Sequence, residues 1–133
     1  MNDTLTLSEA IERIQTLSPS LKTVVDALLI EWQPDEPPPT IVLSSIGRHL
    51  TSRTTDLDER ENLEIWDCVE YLLEHGDEVV KDSVATGLLE AVLSASSANS
   101  FDFRSIAGYL GERSKAYCQA WDRFTGCSTP GLE

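Results

Sequence analysis

Apolar residues recur along this chain at steps of three and four and nowhere alternate for more than a few positions, so the pattern is that of successive amphipathic helices. Thr6-Leu7-Ser8-Glu9 has the form of a capping box ahead of Ile11 and Ile14, which predicts a short first helix over about 7–17. Ser18 as cap and Pro19 in the first turn open a second helix, in which Leu21, Val24, Val25, Leu28, Leu29 and Trp32 form a core-facing stripe. Pro34-Asp35-Glu36-Pro37-Pro38-Pro39 cannot continue that helix, because proline lacks the amide donor and clashes with the preceding turn. Residues 34–39 therefore read as a stiff, extended connector.

Thr40 is the expected cap of a third helix with Leu43, Ile46 and Leu50 inward. Asp56 or Asp58 opens a long fourth helix through about His75, with Ile65, Trp66, Val69, Leu72 and Leu73 apolar and Gly76 as C-terminal cap. Asp77 caps a fifth helix over about 78–97. Valines and leucines cover most of its circumference and leave one narrow polar stripe of Ser83, Thr86, Glu90, Ser94 and Ser97, so it is expected at the centre. After a turn at Ser96–Ser100, Phe103, Ile106, Ala107, Leu110, Tyr117, Trp121 and Phe124 predict a last helix, or a pair divided near Gly111. The expected fold is all-α, a compact bundle or array of five to seven mostly antiparallel helices. Residues 1–125 form one domain and 126–133 a flexible tail.

Charge adds a functional handle. The chain of 133 residues has 23 Asp and Glu against 10 Lys and Arg, a net −13. Such an excess repels phosphate backbones and anionic bilayers, which disfavours direct binding to nucleic acid or a membrane surface and points to a basic partner. The excess is concentrated: residues 56–78 hold ten acids against Arg60 alone, a charge of −9. Glu64, Asp67, Glu70, Glu74 and Asp77 recur there at steps of three or four, which places their carboxylates on one helical face. Like charges at this spacing destabilise an isolated helix by roughly 0.2–0.5 kcal/mol per pair. A face that bears this repulsion without local counter-charges suits association with a basic protein, where complementarity raises rate and specificity. Trp66 reads as core or rim packing, and Tyr71 as either an interface anchor or a packed ring.

No pattern points to catalysis. The carboxylates lie along an exposed helix, without the burial that would bring one toward neutrality. Neither His49 nor His75 has a glutamate three residues before it, and no phosphate loop, nucleophile elbow or HExxH is present. No catalytic residue, cofactor or metal ligand is assigned, and the chain is read as a non-enzyme. Cys68, Cys118 and Cys127 form no CxxC pair, and their odd number fits a reduced compartment. Early acids, with no leader-like apolar stretch or spanning segment, give a cytoplasmic expectation.

Leu72-Leu73-Glu74-His75-Gly76-Asp77-Glu78-Val79-Val80, followed by Val84-Ala85-Thr86-Gly87-Leu88-Leu89-Glu90, resembles a family of small helical bacterial immunity proteins encoded beside polymorphic toxins. The resemblance spans about residues 57–93. It implies a protein that binds and neutralises one cognate toxin to protect the producing cell, with no chemistry of its own, and aligns Glu90 with the glutamate of the Gly-Leu-Leu-Glu stretch. The expected contact surface comprises Glu61, Glu64, Asp67, Glu70, Tyr71, Glu74, Asp77, Glu78 and Glu90, and the expected partner is a basic toxin domain. The same carboxylates would serve a DNA-mimic inhibitor of a nucleic-acid-binding enzyme. A helical adaptor is the third reading.

Overall fold

The structure is a computed structural model and describes residues 4–52 and 57–132. It is all-α, with seven helices among the described residues. α1 (Leu7–Gln15) starts at the predicted capping box: the Thr6 hydroxyl accepts the Glu9 amide and the Glu9 carboxylate accepts the Thr6 amide. α2 (Pro19–Trp32) is capped by Ser18, whose hydroxyl accepts the Ser20 amide. α3 is Pro39–Leu50 and α4 Glu59–His75. Asp58 and Glu61 form a second reciprocal box at the start of α4, while the alternative opener Asp56 lies outside the described residues. α5 runs through 78–97 as one rod in which Val84–Leu89 form a π-helical segment between α-helical ends. α6 (Arg104–Ala107) and α7 (Glu112–Thr125) form a pair, one of the two arrangements expected, with Gly111 at the start of the second.

α5 is central, in contact with α1, α3, α4 and α7. Val80, Val84, Leu88, Leu89, Val92 and Leu93 supply the middle of the core, and Ile14, Leu21, Leu43, Ile46, Ile65, Trp66, Val69, Leu72 and Phe103 close around them. α3 and α5 approach through two glycines. A Cβ on Gly47 would stand 2.6 Å from the Leu88 carbonyl oxygen, and one on Gly87 would stand 3.0 Å from that of Thr40. The Ser44 hydroxyl spans this contact, donating to the Gly87 carbonyl at 3.3 Å.

Several local expectations are corrected. Thr40 is not the cap of α3, because the helix begins one residue earlier, at Pro39, with Pro38 in the cap position and no side-chain cap. Proline is at home there, since first-turn amides have no intrahelical acceptor to lose. Gly76 ends α4 in an extended conformation rather than a left-handed one (φ −71°, ψ 161°), and a side chain there would collide with Val80 Cγ1. Its neighbours are pinned by the amino-terminal segment: the Leu5 amide donates to the His75 carbonyl and the Asp77 amide to the Leu5 carbonyl, both at 3.2 Å. Leu29 and Trp32 are exposed rather than core-facing, because α2 packs on α1 and α3 and its last turns have no further layer above them. Phe124 is exposed as well.

The segment after α7 folds back against that helix. The Thr129 amide and hydroxyl donate to the two oxygens of Asp122 at 2.8 and 2.6 Å, and Gln119 Nε2 donates to the Leu132 carbonyl at 3.0 Å. Thr129 and Leu132 are thereby buried, and Gly126 turns the chain with φ of 76°. Glu133 lies outside the described residues.

Candidate partner-binding face

The nine residues expected at the contact surface separate into two groups. Glu64, Asp67, Tyr71, Glu74 and Glu78 follow one another at three- and four-residue steps along α4 and into the first turn of α5, and reach solvent. Asp67 makes no hydrogen bond or ion pair among the described residues. Glu64 pairs with Arg60 one turn back at 3.1 Å, and Glu78 with Lys81 at 3.8 Å. Such exposed helix pairs contribute little to stability and are screened by salt.

Tyr71 sits in the middle of this ridge and is 38% exposed. Its ring has two close neighbours: the Arg13 guanidinium of α1 lies 4.7 Å from the ring centroid, and the His75 ring lies at 4.4 Å with a 36° tilt. Glu74 approaches His75 Nε2 at 4.0 Å. Arg13 was not foreseeable as part of this face from helix four alone, because tertiary packing of α1 on α4 delivers it. It places a positive charge from another helix against the phenol ring, between the acids of the ridge.

The other four carboxylates are engaged within the fold. Glu61 completes the capping box of α4. Asp77 caps α5, accepting the Val80 amide at 2.8 Å. Glu70 turns away from the ridge toward α7 and accepts the Arg113 amide at 2.8 Å and the Ser114 amide and hydroxyl, each at 2.9 Å. It is the cap of α7, supplied from another helix, and it also meets the positive end of that helix's dipole. Gly111 stands at the formal cap position with ordinary dihedrals (φ −77°, ψ 177°), and any Cβ there would overlap Glu70 Cγ and Cδ. The glycine is required for space, not for backbone conformation.

Glu90 is the fourth. It accepts the Tyr117 hydroxyl at 2.6 Å and so joins α5 to α7. Burial, together with that bond and the adjacent carboxylate charge, raises the Tyr117 phenol above its ordinary range. The polar stripe of α5 is thus partly roofed: Ser83 is buried, whereas Thr86 and Ser94 face outward.

Other chemistry-bearing groups are similarly occupied. Burial pushes the Cys68 thiol up to about 11 and that of Cys118 up to about 12, which makes both poor nucleophiles near neutrality. Cys127 is half-buried with its sulfur 3.9 Å from the Ser97 hydroxyl. His49 bridges α3 to α2 through the Ser20 hydroxyl at 3.1 Å. Trp66 is buried in the core rather than at the rim. Among the described residues, no group of three or more His, Cys, Asp or Glu side chains is placed to hold a metal ion, and no helix is long and apolar enough to cross a membrane.

Two concavities lie away from the ridge. One, of about 740 Å³, is bordered by Ser96, Phe101, Asp102 and Cys127. The other, of about 830 Å³, is bordered by Ser44, Arg48, Thr86 and Ser94. Several of their hydroxyls are committed to backbone carbonyls, Ser44 to Gly87, Thr51 to Arg48, Thr86 to Asp82 and Ser100 to Ala95.

Comparison with known proteins places residues 11–126 within a family model described as a domain of unknown function, DUF7674. No curated protein and no solved structure matches the chain.

Proposed function

We propose that this chain, which belongs to the DUF7674 family, is an immunity protein that binds a basic toxin domain through the α4 ridge and neutralises it in the cytoplasm of the producing cell. The observation that carries this reading is the division among the carboxylates. Glu61, Glu70, Asp77 and Glu90 are engaged in caps or cross-helix bonds, and what remains is a row of Glu64, Asp67, Glu74 and Glu78 beside Tyr71, in which Arg60 and Lys81 meet only Glu64 and Glu78. Opposite charge on a partner would relieve the mutual repulsion of that row, speed encounter and select against acidic competitors. Tyr71 offers the anchor, since a rigid aromatic surrounded by charge loses little side-chain freedom on binding.

The test is replacement of Glu64, Asp67, Glu74 and Glu78 together by lysine, leaving Glu61, Glu70, Asp77 and Glu90 in place. The toxin to use is the carboxy-terminal domain encoded immediately upstream. A variant that keeps its helical circular dichroism is expected to lose toxin binding and protection in co-expression. Full protection by the folded variant would overturn the proposal.

A further inference from the structure

Arg13 brings a positive charge into the middle of the acidic ridge, where the fold leaves it without a counter-ion. Its guanidinium lies 4.7 Å from the centroid of the Tyr71 ring, and Asp67 and Glu74 stand one turn to either side of Tyr71 on α4. Glu9, one turn back on α1, has the spacing of an ion-pair partner for Arg13. Its carboxylate is held instead by the Thr6 amide and hydroxyl, at 3.1 and 2.9 Å. Glu12 accepts Gln15 Nε2 at 2.6 Å, and Glu74 lies against His75. No carboxylate among the described residues comes within ion-pair distance of Arg13, whereas Lys22, Arg60, Lys81 and Arg104 each have one.

The position matters because Tyr71 is the proposed anchor. A cation at the rim of an interface stays in water, but one stacked on the anchoring ring is covered when the ring is covered. A charge desolvated without a counter-charge is costly, and a surface that is basic throughout would add repulsion to that cost. We infer that Arg13 is a specificity-determining residue of this face, and that the partner it selects presents an aspartate or glutamate opposite Arg13, set between the lysines or arginines that meet Asp67 and Glu74. The inference rests on the α4 ridge being the contact surface. A guanidinium can stack on an aromatic face and still donate its edge to a carboxylate, so Tyr71 keeps its neighbour in the complex. The sequence of charges along the face is then negative, positive, negative, and a wrong partner is rejected by the central one.

The experiment measures binding of the full chain to the toxin domain encoded immediately upstream, by titration calorimetry, for wild type, Arg13→Gln and Arg13→Glu. Arg13 is exposed and takes no part in the α1 capping box, so both variants should keep native helicity by circular dichroism. Against a partner carboxylate, affinity should fall at least about tenfold in Arg13→Gln and further in Arg13→Glu. Against a surface that is basic throughout, the same changes remove repulsion and tighten binding in the same order. Unchanged or tighter binding overturns the inference and leaves the ridge as the contact surface, which the four lysine substitutions test separately. A loss that is equal in the two variants and disappears in a Tyr71→Leu background also overturns it, since Arg13 would then act only by supporting the ring. Absence of wild-type binding overturns the reading of the ridge and the inference together.

Discussion

Replacing Glu70 by alanine separates a structural carboxylate from its interfacial neighbours on the same helix. The substitution removes three hydrogen bonds from an ionised acceptor. The Arg113 amide is exposed and can turn to water, but Ser114 is fully buried, so its amide and hydroxyl are stranded. A buried donor left unpaired costs about 1–3 kcal/mol, and loss of the charge at the α7 amino terminus adds about 0.3–1 kcal/mol. Relief of like-charge contacts with Asp67 and Glu74 returns roughly 0.2–0.5 kcal/mol each. With two such donors the net destabilisation is about 1–6 kcal/mol, or a fall in Tm of roughly 4–22 °C for a chain of this length. Glu74→Ala, one turn along and exposed, should stay within about 0.5 kcal/mol of wild type.

A double-mutant cycle tests the geometry more sharply. Gly111→Ala evicts the Glu70 carboxylate and should cost about 1–3 kcal/mol in the native chain, yet no more than about 1 kcal/mol once Glu70 is alanine. Thermal and urea unfolding followed by far-ultraviolet circular dichroism measures all four proteins. Costs that add to within about 0.5 kcal/mol, or a Glu70→Ala variant as stable as Glu74→Ala, would refute the cross-helix cap.

Three further outcomes follow from the structure. Gly47→Ala forces a methyl against the Leu88 carbonyl, so a destabilisation of about 1–2 kcal/mol is expected after the gain in helix propensity, whereas Gly108→Ala, with open space around it, should be nearly neutral; urea midpoints decide it. Of the three thiols only Cys127 should react promptly with a chromogenic disulfide reagent in the native protein, and all three after denaturation; rapid native reaction of Cys68 or Cys118 would contradict their burial. Because Tyr117 is raised in the fold, its contribution to stability is complete below about pH 10 and is lost as pH climbs through the higher folded value. The alkaline decline in stability should therefore be shallower in Tyr117→Phe, and parallel curves would count against the Glu90 contact.

Most helix starts were legible because each is written in local chemistry: the Thr6/Glu9 and Asp58/Glu61 boxes, Ser18 before Pro19, and Asp77. The succession of the first five helices and the central place of α5 follow from the period of apolar residues together with the cap signals, which leave open whether one helix or two follow. What was not legible depended on which helix lies across which. Glu70 and Glu74 are one turn apart and chemically alike, and only the arrival of α7 distinguishes them. A trace of the answer was present in Gly111: a helix opening without Ser, Thr, Asp or Asn at its cap needs an acceptor from elsewhere. The exposed end of α2 shows the converse limit. Leu29 and Trp32 have the spacing of core residues, but periodicity specifies an apolar side without specifying that anything covers it. The contacts of the tail are not legible for the same reason: Asp122, placed on a helix, reads as a solvated acid until Thr129 folds back onto it.

The π-helical turn within α5 makes one continuous rod behave as two gears cut to different teeth. Ahead of Val84 the rod meshes with α1, α3 and α4, and beyond Leu89 it meshes chiefly with α3. The wider turn takes up one extra residue without turning the two ends against each other. Loss of one codon in this stretch should therefore close the bulge into a regular helix and leave Glu90 on Tyr117, with α7 still locked in place.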